Sequence, residues 1–315
     1  MSKHILFSSP QMKDLAAEIA RKYADEIELG EISFQRFPDR APNTFVERAS
    51  KLAAENVAFL ACFEDEESFS EQLFTHYHLA GLAPKSYRVI MPYFKTATME
   101  RSTNEGEVIT AHRFLQAMGA VGPAGPGLVP LYTYDIHALA IRSFAPQHVS
   151  MRFKTGLKLL FEALQGRERL TLVFPDEGAE KRFGKMDPVL EAKKSMKFEI
   201  AVCSKVREGD ARKVVLKDGS VRGRNVVIID DLIRSAETLF ECARVVAAQG
   251  AETIDVYGTH VSHLDGGWKK FDGKLIRKLY TTNSCPAAAA ALKDNPHVQV
   301  FSLADSIANA IREGL

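Results

Sequence analysis

Residues 225–238 read NVVIIDDLIRSAET, four aliphatic residues running into two adjacent acids and a short polar turn. A run this rich in β-branched side chains predicts a buried strand that delivers Asp230 and Asp231 at its end. LFECARVVAAQGA, which follows, predicts a helix, so Ser235, Ala236, Glu237 and Thr238 stand at its N-terminus. The first N–H groups of a helix lack intrahelical partners and sit at the positive end of its dipole, which suits an anion such as phosphate. Two carboxylates nearby repel a phosphate, but they accept hydrogen bonds from the vicinal hydroxyls of a sugar. Phosphate on the turn and diol on the acids together fit a ribose 5-phosphate group. Adjacent acids ahead of a helix also serve simply as N-terminal charge and cap.

These residues need a scaffold, and the chain provides strands alternating with helices. HILFSS (4–9) precedes KDLAAEIARKYA, where Leu15, Ile19 and Tyr23 recur on one helical face. NVAFLACF (56–63), YRVIMPYF (87–94) and LVPLYTYDIH (128–137) read as later strands of a first half. LTLVFPD (170–176), FEIAVCSKVR (198–207), NVVIIDD (225–231) and TIDVYGTHV (253–261) repeat the scheme. RKLYTTNS and VQVFSL follow, then a closing helix from about Asp305. Short strands interleaved with helices imply mainly parallel sheets flanked by helices, an α/β fold. AVGPAGPG (120–127) reads as a loop, and APQHVS breaks the pattern near 145–152, so domains of 1–148 and 149–315 are expected. In open α/β sheets ligands bind beyond the carboxyl ends of strands, where the candidate residues fall.

Bulk properties narrow the function classes. The 315 residues allow two domains at about 100–200 residues each. Lys and Arg number 41 against 40 Asp and Glu, which gives no electrostatic footprint for nucleic acid or a membrane surface. No apolar run reaches the roughly 18 residues of a membrane span. MSKHILFSSP lacks the apolar core of a signal peptide, and the four cysteines, Cys62, Cys203, Cys242 and Cys285, form no Cys-x-x-Cys pair. A soluble cytoplasmic protein with reduced thiols is expected.

The apolar run, Asp-Asp, and Ser-Ala-x-Thr after three residues resemble the fingerprint of type I phosphoribosyltransferases and of ribose-phosphate diphosphokinases, the PRPP synthetases. Other segments resemble the diphosphokinases in particular, in order along nearly the whole chain. RFPDRAPNTFV (36–46) resembles their nucleotide-contacting loop, matching at Phe37, Asp39 and Asn43, and MPYFKTATMER (91–101), with Glu100 and Arg101, resembles an ATP-site segment. YDIHA (134–138) and FPDEGAEKRF (174–183) resemble the motifs that supply His137 and Asp176 to a metal. CSKVREGDARKV (203–214) resembles the mobile catalytic segment, with Lys205 and Arg207 as its basic pair. The wording is closest to the plant-type, class II branch, and Thr98-Met99 replaces the Arg-Gln pair that contacts ATP in class I.

The resemblance implies two tandem type I phosphoribosyltransferase-like domains, a nucleotide side and a ribose 5-phosphate side, with the final helix packing back on the first domain. It implies transfer of the β,γ-diphosphoryl group of ATP to ribose 5-phosphate, with Mg²⁺ as cofactor. ATP would be held by Phe37, Asp39, Asn43, Glu100, Arg101 and His137. Ribose 5-phosphate would be held by Asp230, Asp231, Arg234, Ser235, Ala236, Glu237 and Thr238. A homo-oligomer with sites near subunit interfaces is implied as well. Glu237 departs from the small residue or glycine common in these loops: directed outward it offers only its N–H, directed inward it opposes phosphate. The alternatives are a non-catalytic regulatory homologue and a PRPP-using phosphoribosyltransferase.

Overall fold

The computed structural model describes residues 3–63, 66–121, 127–208, 211–262 and 270–314, with side chains at all of these except 66–67, 207–208 and 211–213. Most of the AVGPAGPG segment therefore lies outside the described residues. Two compact units divide the chain, Met1–Lys154 with Ser302–Leu315, and Thr155–Phe301. The boundary expected at 148/149 falls at the start of a strand of the first unit.

The first unit contains β1 (His4–Ser8), α1 (Lys13–Lys22), β2 (Ile27–Leu29), β3 (Ile32–Arg36), β4 (Pro42–Val46), β5 (Asn56–Leu60), α2 (Glu66–Gly81), β6 (Ser86–Ile90), α3 (Thr110–Met118), β7 (Val129–Tyr134) and β8 (Val149–Lys154). Its six-stranded sheet runs β2-β1-β5-β6-β7-β8, and each adjacent pair is parallel. All residues of β6 and β7 are buried, as expected of strands covered on both faces. β3 and β4 form a separate antiparallel hairpin, tied to α2 by Arg36 and the buried Glu71 at 2.8 Å. β8 is an edge strand whose VSMRFK sequence mixes apolar and polar positions, so its local signal is weak.

The second unit contains α4 (Leu157–Ala163), β9 (Leu170–Phe174), α5 (Glu177–Phe183), α6 (Asp187–Ser195), β10 (Phe198–Glu208), β11 (Ala211–Asp218), β12 (Asn225–Ile233), α7 (Glu237–Ala248), β13 (Thr253–Val261), β14 (Lys278–Thr282), α8 (Pro286–Leu292) and β15 (Val298–Phe301). The sheet order is β11-β10-β9-β12-β13-β14-β15, antiparallel only between β10 and β11. Alternation along β12 sets the two cores: Val226 and Ile228 pack with Leu239, Cys242 and Val246 of α7, while Val227 and Ile229 pack with residues of α4, α5 and α6. The buried Asp255 of β13 is neutralised by Arg167 and by two hydrogen bonds from Arg277, at 2.9 and 2.6 Å.

The closing helix α9 (Ala304–Arg312) belongs to the first unit. Arg88 of β6, itself buried, donates to the carbonyls of Ala310 at 3.1 Å and Glu313 at 2.7 Å, satisfying the end of that helix.

In each unit the first strand is an interior one, with later strands on both sides of it. The chain builds outward on one side of it, then crosses to the other, so a topological switch point lies between β1 and β5 and another between β9 and β12.

Candidate active site

The switch point between β9 and β12 is where a doubly wound sheet leaves a crevice for a ligand. Asp176 follows β9 and caps α5: its Oδ1 accepts from the Ala179 N–H at 2.9 Å. Gly178 permits this close turn, since a Cβ there would stand 3.0 Å from Asp176 Oδ1.

On the other side of the crevice β12 brings up Asp230 and Asp231. The strand does not end at the acids, as its apolar run predicts, but continues pairing with β13 through Leu232–His260 and Ile233–Val261. Ile233 lies over Gly258, where a Cβ would be 2.4 Å from it, and this packing extends the strand. Asp230 Oδ1 accepts from the Asp231 N–H at 2.9 Å. Arg182 of α5 reaches both acids, with Nη1 2.5 Å from Asp231 Oδ1 and 3.8 Å from Asp230 Oδ1. Burial, with the neighbouring Asp231 charge second, pushes the Asp230 carboxyl well above the ordinary carboxylate range.

Arg234 and Ser235 are exposed, and Ala236 then adopts a left-handed conformation, φ 62 and ψ 0. A left-handed L-residue other than glycine costs about 1–2 kcal/mol, and strain of this kind gathers at ligand sites. Ala236 is the N-cap of α7 and has no polar side chain, so no side-chain cap engages that end of the helix. Glu237 is exposed at the first residue of α7, and Thr238 is half-buried behind it.

Lys205 is exposed on β10, opposite Val214 of β11. β10 pairs with β9 only over Phe198–Val202, so the part carrying Lys205 is a two-stranded ribbon with β11. From Ala211 onward the chain pairs back with β10 as β11. Arg207 has its backbone opposite Arg212, and its side chain lies outside the described residues. Cys203, two residues before Lys205, accepts a 3.4 Å hydrogen bond from Cys242 of α7, and that bond together with burial pushes the Cys242 thiol up. All four cysteines are buried and none is in a disulfide.

In the first unit, Phe37 and Asp39 occupy the turn of the β3–β4 hairpin, where Asp39 Oδ1 accepts from the Ala41 N–H at 3.0 Å, and Asn43 lies on β4 opposite Gln35. Phe37 is 51% exposed. Glu100 and Arg101 form an ion pair at 3.6 Å in the segment after β6, and His137 is half-buried in the turn after β7. These two segments follow adjacent parallel strands, whereas the hairpin is a separate element. Among the described residues no group of three or more His, Cys, Asp or Glu side chains is arranged to hold a metal. No helix among them is long and apolar enough to cross a membrane.

Arg182 is the site residue that sequence reasoning misses. Its only local signal is a basic position soon after the Pro-Asp turn, and its meeting with acids far along the chain has no periodic signature.

The model of the N-terminal domain of ribose phosphate pyrophosphokinase matches residues 4–122, and that of the phosphoribosyl synthetase-associated domain matches residues 174–314. The chain is 38% identical over 320 residues to ribose-phosphate pyrophosphokinase 3, mitochondrial, of Spinacia oleracea, covering 98% of this chain and 77% of the relative. It is 35% identical over 317 residues to ribose-phosphate pyrophosphokinase 4 of Oryza sativa subsp. japonica, covering 98% and 95%. The crystal structure of phosphoribosylpyrophosphate synthetase from Mycobacterium smegmatis shares the fold, with a TM-score of 0.82 at 20% identity over 99% of this chain and 98% of that one. The expected fold and the plant-type resemblance are both borne out. With such identity to the plant proteins along almost its entire length, the chain belongs to the ribose-phosphate pyrophosphokinase family.

Proposed function

We propose that the chain transfers the β,γ-diphosphoryl group of ATP to the anomeric hydroxyl of ribose 5-phosphate, giving PRPP and AMP. The observation that carries this reading is the acid pair at the β9/β12 switch point, followed at once by the uncapped N-terminus of α7. Asp230 and Asp231 accept from the ribose hydroxyls. The N–H groups at Ser235–Thr238 bind the 5-phosphate, and Arg234 adds positive charge. The exposure of Glu237 supports its contributing an N–H while its carboxylate stays in solvent.

ATP binds through Phe37, Asp39, Asn43, Glu100, Arg101 and His137 in this reading. Phosphoryl transfer asks for in-line placement and charge neutralisation more than for covalent chemistry. Lys205 and Arg207 lie on one strand, and in this reading they stabilise charge developing on the transferred group and on AMP. Asp176 and His137 would hold Mg²⁺. A carboxylate beyond a strand end suits this oxygen-seeking ion, and with no three-ligand cluster among the described residues the ion is best carried on the triphosphate. Bound there, magnesium neutralises phosphate charge.

We place the protein in the cytoplasm, since four buried cysteines outside any disulfide suit a reducing compartment, and we expect a homo-oligomer, since Phe37 and Phe45 stand exposed on the hairpin. The test is AMP formation from ATP and ribose 5-phosphate with Mg²⁺, with and without inorganic phosphate and with several nucleotides. Absence of AMP under all these conditions refutes the proposal. PRPP consumption with a panel of bases would indicate a phosphoribosyltransferase instead.

A further inference from the structure

The acid pair is more than two adjacent carboxylates. Val227 and Ile229 face α4, α5 and α6, and Asp231, next in that alternation, emerges where α5 presents Arg182. The Arg182, Asp231 and Asp230 side chains are 12%, 4% and 21% exposed. Two crowded carboxylates alone form a site of charge −2 that attracts a divalent cation. With the guanidinium at 2.5 and 3.8 Å, negative charge is offset within the trio, and a cation approaching it meets a fixed positive group. A neutral diol needs only acceptor positions, and an ionised carboxylate has about four.

We propose that Arg182 is the specificity-determining positioning residue of the sugar site: it makes the acid pair a receptor for an uncharged vicinal diol instead of a divalent cation. The inference rests on the ribose reading of Asp230 and Asp231 given above. Because Arg182 acts through Asp231, its loss alters what the acids bind before it alters any chemical step. In Arg182→Gln the released pair takes up a cation, and the magnesium that the reaction requires then competes with the sugar.

The probe is Mn²⁺, titrated into the full-length protein without nucleotide and read by electron paramagnetic resonance. Arg182→Gln is expected to bind one more Mn²⁺ per chain than wild type. The additional site disappears in the Arg182→Gln/Asp231→Asn double variant, and Arg182→Lys, which keeps the charge, does not acquire it. In kinetics, Arg182→Gln raises KM for ribose 5-phosphate at least tenfold with a smaller change in kcat. That KM climbs with free Mg²⁺, while Arg182→Lys recovers most of the loss. A purely structural role would lower the amount of folded protein and kcat without creating a cation site.

Equal Mn²⁺ stoichiometry in Arg182→Gln and wild type overturns the inference, as does a KM independent of Mg²⁺. Should Arg182→Gln not fold, the comparison of wild type with Asp231→Asn decides: a Mn²⁺ site present in wild type and lost in Asp231→Asn overturns the inference, and equal binding supports it. The Mn²⁺ measurements need no turnover, so absence of diphosphokinase activity would sink the functional reading and still leave the effect of Arg182 on the acids measurable.

Discussion

His76 of α2 places a pH dependence in the first unit. Its Nε2 lies 2.8 Å from the Met118 carbonyl oxygen, which can only accept, so Nε2 carries the hydrogen. Nδ1 then accepts from the Tyr87 hydroxyl at 2.9 Å. Both side chains are buried, and burial lowers the His76 pKa from 6.5 to about 4. Above pH 6.5 neither folded nor unfolded chain protonates this ring, and its neutral hydrogen bonds contribute fully. Between 6.5 and about 4 the unfolded chain binds a proton that the folded chain refuses, so stability falls with falling pH. At about 1.4 kcal/mol per pH unit the loss reaches about 3 kcal/mol, a large part of the roughly 5–15 kcal/mol that stabilises a domain. Below about 4 both forms are protonated and the loss levels off.

Other groups titrate over the same range, so the comparison is with His76→Gln, which keeps a donor and an acceptor without titrating. Urea-dependent oxidation of Met91 and Met118 by peroxide, read by mass spectrometry, follows unfolding of the first unit, where both are buried. The stability of wild type relative to the variant should fall by about 3 kcal/mol between pH 7 and pH 4. Parallel curves would refute the assignment of a buried neutral imidazole.

Lys205→Ala should lower turnover by about 10²–10³, the usual loss for one electrostatic donor, with circular dichroism unchanged; wild-type turnover removes Lys205 from the mechanism. Asp176→Ala removes the α5 cap and should cost about 1 kcal/mol in a urea melt. Its loss of AMP formation should be far greater than that, and near-normal activity would reduce Asp176 to a cap. Arg88→Met withdraws the donor that closes α9, a loss of about 1.5–3 kcal/mol. Carboxypeptidase should trim residues 302–315 faster in this variant, and equal rates would contradict the anchoring role.

The α/β class is legible from sequence because strands buried on both faces must be nearly continuous apolar runs, as in VVII of β12 and the fully buried β9 and β6. The acid pair and phosphate turn are legible because strand, Asp230, Asp231 and helix N-terminus are contiguous. Their chemistry follows from residue types that backbone geometry places together whatever the remainder of the chain does. β8 and β11 are harder to read: one is a mixed edge strand, and the other is a polar stretch that becomes a strand by pairing with β10.

Tertiary structure alone decides which groups meet across long intervals. The approach of Cys203 to Cys242, the closing of α9 by Arg88 and the pairing of Arg182 with Asp231 are all of this kind. Local propensity is a property of neighbours in the chain, whereas the charge of the acid pair depends on a guanidinium brought in by a different helix. Amino-acid order therefore determines which acids stand at the crevice, and packing determines the counter-charge they meet there.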